Sequence, residues 1–164
     1  KIKPAQPIKE DFKPFIAFTS RFSTNFSPSG DYAASVGAVY AVSEHDALGV
    51  EFGGTSGGRQ GKASGSSEGV QKLIPVVYFA GLYRFTLPIE GSKLAVFSQL
   101  RVGVETTGTA FGGVGFGAQY QVSDKLYIFA SAEAARILWK LPTTDPSAHL
   151  AHDGISVEIG RAHV

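Results

Sequence analysis

The sequence contains no cysteine and no methionine among its 164 residues. Without thiols there can be no disulfide scaffold and no thiolate metal site. Charge is also sparse. Asp, Glu, Lys and Arg make up 18% of the chain, against about 25% in soluble domains. The net charge is +1, which leaves no concentrated basic face of the kind that binds nucleic acid. No uncharged apolar run approaches the roughly 18 residues of a membrane-spanning helix. No basic region followed by an apolar one opens the chain, so no signal peptide is expected in it. No segment sustains a helical period.

Glycine and aromatics are abundant instead: 20 Gly, 12 Phe, 6 Tyr and 1 Trp. Eight segments alternate large apolar residues with small or polar ones and are separated by turn residues, which predicts strands. They lie at about 14–23, 32–42, 46–54, 73–86, 93–106, 110–122, 125–138 and 153–163. The stretch "SAEAARILWK" at 131–140 holds good helix formers, but it continues the alternation begun at Leu126 and is read as strand. The opening "KIKPAQPIKEDFKPF" sets Pro4, Pro7 and Pro14 among lysines. Residues 1–13 therefore read as an extended linker or periplasmic tether, and 14–164 as the folded domain.

The connections are unequal. "SEHD", "PIEGS", "VSDK" and "TTGT" are short, whereas "TNFSPSGD", "GTSGGRQGKASGSSEGVQ" and "LPTTDPSAHLAHD" are long. Apart from "TTGT", the short ones fall at one end of the bundle and the long ones at the other. Transmembrane barrels show this asymmetry, with an even number of strands. "GGRQGKASG" fails as a phosphate loop, because Ser56 stands where the first glycine belongs and Ala63 where magnesium would need a hydroxyl. It reads as an exposed Gly/Ser loop. The "NFS" sequon at Asn25 reads as accidental.

One alternate face is continuously apolar. It carries Val36, Tyr40, Leu48, Val50, Phe52, Leu100, Val102, Val114, Phe116, Ile128, Ile155, Val157 and Ile159. The other face is mostly Gly, Ala, Ser and Gln with a few charges, a poor surface for water but a good fit to the crowded inside of a narrow eight-stranded barrel. The apolar face is therefore expected to point outward, into lipid. Tyr40, Phe52, Phe79, Tyr83, Phe85, Tyr120 and Trp139 are candidates for aromatic girdles at the lipid–water boundaries. The predicted fold is all-β: an eight-stranded antiparallel up-and-down transmembrane β-barrel.

The inward set holds Arg21, Arg84 and Arg101 against Glu51, Glu105, Glu133 and Glu158. Charges enclosed in a barrel are costly unless paired. Glu51 and Arg84, on neighbouring strands and at similar distances from the short turns, are expected to pair. Arg21, Arg101 and Glu133 are expected to form a second cluster. Such a network fills and rigidifies the lumen.

On these patterns, and on the hairpins "YAVSEHDALGVEFG" and "YQVSDKLYIFASAE", the chain resembles the eight-stranded outer-membrane barrels of Gram-negative bacteria, the class of outer-membrane proteins A and X. The resemblance covers roughly residues 14–164 and implies a bacterial outer-membrane location. It supplies no catalytic motif. The chain departs from the family at "EIGRAHV", where an aromatic residue often ends the last strand.

The expectation is thus a non-enzymatic barrel with no cofactor, surrounded by outer-membrane lipid. It would act as an anchor or structural component within a larger protein or complex, with protein partners met through the Pro-rich start and the external loops. Two other readings compete. A lipid-modifying enzyme would draw on loop residues Asp145, Ser147, His149, His152 and Asp153. Of these, His149, His152 and Asp153 could also contribute to a metal site if a further ligand arrived. A soluble lipocalin-like barrel would invert the faces and hold an apolar ligand inside.

Overall fold

Alternation with a period of two can bury only one face of a strand, and a sheet that curls until its edges meet satisfies its backbone as well. The protein does both. The structure is a computed structural model and describes residues 13–25, 32–55, 76–106, 108–140 and 154–163. Eight strands follow one another: β1 (Phe15–Asn25), β2 (Tyr32–Ala41), β3 (Asp46–Thr55), β4 (Val76–Pro88), β5 (Leu94–Glu105), β6 (Thr109–Ser123), β7 (Leu126–Lys140) and β8 (Gly154–His163). Each pairs antiparallel with its sequence neighbours, and β8 closes on β1. The expected strands are all present, their ends differing by up to three residues.

Register fixes the barrel's shape. Stepping across the ladders from Phe15 leads through Ala41, Ala47, Arg84, Gln99, Gly115, Glu133 and Gly154. The path returns to β1 at Asn25, ten residues beyond its start. With ordinary strand rise and spacing, a stagger of ten over eight strands gives a tilt of about 40° and a backbone radius of about 8 Å. That bore is narrow enough for side chains to fill.

The short turns are built locally. In "SEHD" the Ser43 hydroxyl accepts from the Asp46 amide at 2.9 Å and donates to the Asp46 carboxylate at 2.7 Å. Gly91 and Gly108 adopt φ of 72° and 77°, a region that residues with a Cβ rarely enter. The segment "SAEAARILWK" is strand: Glu133 and Ala135 are buried, while Ala134, Arg136 and Leu138 are exposed. Pairing with β6 overrides its helix propensity. In this hairpin Val122 and Leu138 are extra residues where the register shifts.

The faces are divided as the alternation demands. Phe22, Val36, Phe52, Val102, Phe116 and Ile159 are all exposed, Phe116 at 69%. Arg21, Glu51, Arg84, Arg101, Glu133 and Glu158 are all buried. Among described side chains facing outward along the strands, charge occurs only at Asp46 and Arg161, near the short turns, and at Arg136, near the long connections. From the tilt and stagger, the charge-free band between them is roughly 22 Å tall. A transmembrane barrel shows an apolar band of about 25 Å. Tyr40 and Tyr120 lie at its lower edge, Tyr32 and Trp139 at its upper. Tyr83 reaches the lower edge through its hydroxyl, which donates to Asp46 at 2.5 Å. No described helix is long and apolar enough to cross a membrane; the strands present the apolar surface.

Candidate functional site in the barrel lumen

The odd-numbered strands each contribute one charge to a ring of alternating sign: Arg21 from β1, Glu51 from β3, Arg101 from β5 and Glu133 from β7. Arg21 lies 3.5 Å from Glu51 and 2.8 Å from Glu133. Arg101 lies 2.9 Å from Glu51 and 2.5 Å from Glu133. Each arginine therefore meets both carboxylates, and the circuit closes. At the same level the even strands present Gly37, Ala80, Gly115 and Ser156, residues too small to obstruct it. The ring thus takes its long side chains from alternate strands and leaves small ones on the strands between.

A second storey lies nearer the short turns. Arg84 on β4 donates to Glu158 on β8 at 2.7 Å, across the barrel. Its guanidinium sits 4.7 Å from the Phe97 ring centre and 4.4 Å from that of Phe129. A cation between two aromatic faces is attracted by both. Gln99 joins the storeys: its carbonyl accepts from Arg84 at 3.2 Å and its amide donates to Glu133 at 3.1 Å.

Above the ring, Tyr78 and Phe111 meet edge to face at 6.0 Å and lie 5.6 and 5.5 Å from the Arg101 guanidinium. The Tyr78 hydroxyl donates to Glu51 at 2.5 Å. The bore is thus occupied from one aromatic pair to the other. A cavity of about 110 Å³ remains at the short-turn end, reaching Arg84 and lined by small residues such as Ala17, Ala41 and Ala47.

The structure brings Arg21, Glu51, Arg101 and Glu133 into one ring and pairs Arg84 with Glu158. The expected Glu51–Arg84 pair is not formed. The register partner of Arg84 on β3 is Ala47, and that of Glu51 on β4 is Ala80. Arg84 therefore lies several ångströms lower and faces the opposite wall. Glu105 sits half-buried at the long-connection end of β5, away from the ring. Asp145, Ser147, His149, His152 and Asp153 lie outside the described residues, as do residues 1–12 of the tether. Among the described residues no group of three His, Cys, Asp or Glu could hold a metal ion.

The aromatic plates and the Gln99 bridge were not anticipated from sequence. Their signal was the shared parity of Tyr78 with Arg84 and of Phe97 and Gln99 with Arg101, which commits all of them to the lumen.

No protein-family model and no curated protein matches the sequence. Among solved structures the chain is similar to a de novo designed transmembrane β-barrel, with a TM-score of 0.63 and 14% identity over 91% of this chain and 95% of that one. It is also similar to TMB2.3, a de novo designed protein determined by solution NMR, with a TM-score of 0.55 and 14% identity over 94% and 96% of the two chains. At such identity the likeness is one of fold: an eight-stranded antiparallel barrel of the transmembrane kind, here with a charge-paired, filled interior.

Proposed function

We propose that the chain is a non-enzymatic barrel of a bacterial outer membrane that anchors a larger protein or complex in lipid. The observation that supports it is the inverted distribution of polarity. Six ionised side chains are buried inside, while a band of Phe, Val, Leu and Ile is exposed outside. A water-soluble barrel of this composition would expose the wrong face, because contiguous apolar patches beyond a few hundred Å² are rare on soluble monomers. In lipid the same band is solvated and the closed sheet leaves no unpaired edge.

The packed lumen supports an anchoring role over free solute passage. The aromatic pairs and the Arg–Glu ring fill the bore that a porin leaves open. The outer-membrane location rests on the resemblance in strand pattern and on the unequal connections, and attachment to a partner rests on the Pro-rich start.

The test compares boiled and unboiled samples by electrophoresis after extraction with and without detergent. A mobility shift on heating, with extraction only by detergent and insertion into phospholipid vesicles, is the expected result. A chain that is folded and monomeric in plain buffer would overturn the reading.

A further inference from the structure

The outer wall is not uniform. A groove of about 760 Å³ crosses it obliquely from β8 over β1, β2 and β3 to β4. Its course follows two adjacent rows of register partners. One runs from Arg161 through Phe18 and Ala38; the other passes Ser20 and ends at Phe52 and Phe79. Ser20 and Ala38 make a low floor, and the three phenylalanines stand as walls. All the phenylalanines are more than half exposed, so the described residues leave the groove uncovered.

The groove is apolar along its length and charged at one end. Arg161 lines it near the short turns. No described carboxylate is within ion-pair distance of that guanidinium. Lys125, exposed, precedes Leu126, the register partner of Arg161, and its carbonyl accepts from the Ala162 amide at 2.8 Å. The neighbouring carboxylate is Asp124, which leaves this corner with an excess of positive charge. The rise from Arg161 to Phe79 is roughly 17 Å from tilt and stagger, close to the ~15 Å depth of one leaflet in a hydrocarbon core of ~30 Å.

We infer that this groove is a binding site for one anionic phospholipid of the leaflet on the short-turn side. Its phosphate pairs with Arg161 beside Lys125, and one acyl chain lies over Ser20 and Ala38 between the phenylalanines. The inference rests on the reading that the apolar band faces lipid. Charge selects the headgroup: the excess positive corner attracts a net-negative lipid, and a zwitterionic one carries no net charge to match. Shape selects the chain, since the groove continues from the charged corner for the depth of a leaflet.

The experiment is native mass spectrometry of the detergent-purified barrel with added phosphatidylglycerol or phosphatidylcholine. Wild type should retain one phosphatidylglycerol in preference to phosphatidylcholine. Arg161→Gln should lower that retention about five-fold, the factor for losing roughly 1 kcal/mol from one basic side chain at a membrane surface. Ala38→Phe, which raises the floor, should reduce retention of both lipids.

Each variant is first checked for the heat-dependent mobility shift. A variant that fails it is replaced by Arg161→Lys with Lys125→Gln, or by Ser20→Leu. Equal retention of the two lipids by a heat-shifting wild type would overturn the lipid site while leaving the membrane barrel standing. So would a dimer that Ala38→Phe abolishes, which would make the groove's occupant a second copy of the chain. Failure of wild type to heat-shift or to enter vesicles would instead remove the membrane reading on which the site depends.

Discussion

The two storeys of the lumen solve one problem in different ways. In the ring, every charge has two partners of opposite sign: Arg21 and Arg101 share Glu51 and Glu133. In the lower storey, Arg84 has one carboxylate, Glu158, and its other contacts are the Gln99 carbonyl and two phenyl faces. The ring lies between the lower pair and the upper aromatic plates. Arg84 borders the cavity at the short-turn end, where water can share the load. The ring's deeply enclosed charges depend mainly on one another, with Tyr78 and Gln99 donating to its carboxylates, whereas the pair has a single ionic contact, closer aromatic faces and nearby solvent. The ring should therefore tolerate interruption least.

The largest effect is expected from Glu133→Ala. It removes two ion pairs and the acceptor for Gln99, leaving two arginines to share Glu51. Breaking a buried ionic cluster from one side costs about 3–5 kcal/mol, and this change should fall near the upper end, about 5 kcal/mol. Urea unfolding of the barrel in phospholipid vesicles, followed by the fluorescence of Trp139, the chain's one tryptophan, would measure it. A loss under about 1 kcal/mol would mean that water enters the ring and that the storeys do not differ as described.

Glu158→Ala should cost less, about 3 kcal/mol, by the same measurement. Arg84 would keep the Gln99 carbonyl and both phenyl faces, and cation–π contacts in a desolvated site contribute about 2 kcal/mol. Adding Phe129→Leu should widen the loss by more than Phe129→Leu does alone, because the aromatic face then carries more of the cation. Additive effects of the two changes would show that the ring faces contribute packing and nothing electrostatic.

A smaller effect is expected from Gly113→Ala. A Cβ there would lie 2.9 Å from the Glu133 Oε1 and 3.3 Å from the Ala135 Cβ. The carboxylate would have to shift against both arginines. Overpacking of this kind costs about 1–3 kcal/mol, and about 1.5 is expected, since a side-chain end can yield where backbone cannot. The contribution should shrink in a Glu133→Ala background, leaving the contact with Ala135, which a double-mutant cycle would read directly.

The sequence showed the fold and the inventory of lumen charges, but not their partners. Alternation settles which face each residue occupies, because a strand has only two, and residues such as Arg101 and Gln99 then share the lumen by parity alone. Pairing needs the stagger, and no single strand encodes it. Glu51 and Arg84 looked matched when counted from the turns of neighbouring strands. A ten-residue stagger and an 8 Å radius change the question, because long side chains then meet across the bore more readily than along the wall. The ion pairs of the ring and of the lower storey all join strands that are not neighbours. The groove on the outer wall was equally hidden. Its floor and walls come from four strands, and Ser20 and Ala38 become neighbours of Phe52 only through register.

The smallest expected effect bears most directly on why the storeys differ. Replacing both members of the lower pair, Arg84→Met with Glu158→Leu, removes two charges together and leaves none unpartnered. Desolvation of two ions roughly cancels their attraction, so such exchanges are often neutral or stabilising. Met is flexible enough to lie between Phe97 and Phe129 and makes favourable sulfur–aromatic contacts. The unfolding free energy should therefore stay within about 1 kcal/mol of wild type, although Glu158→Ala alone costs about 3. The corresponding replacement of all four ring residues by apolar ones should fare worse, because Gln99 and the Tyr78 hydroxyl both point at ring carboxylates and would be left without partners. If the lower double replacement instead costs as much as Glu158→Ala, Arg84 and Glu158 are held by more than each other. The lower storey would then be as much an electrostatic unit as the ring.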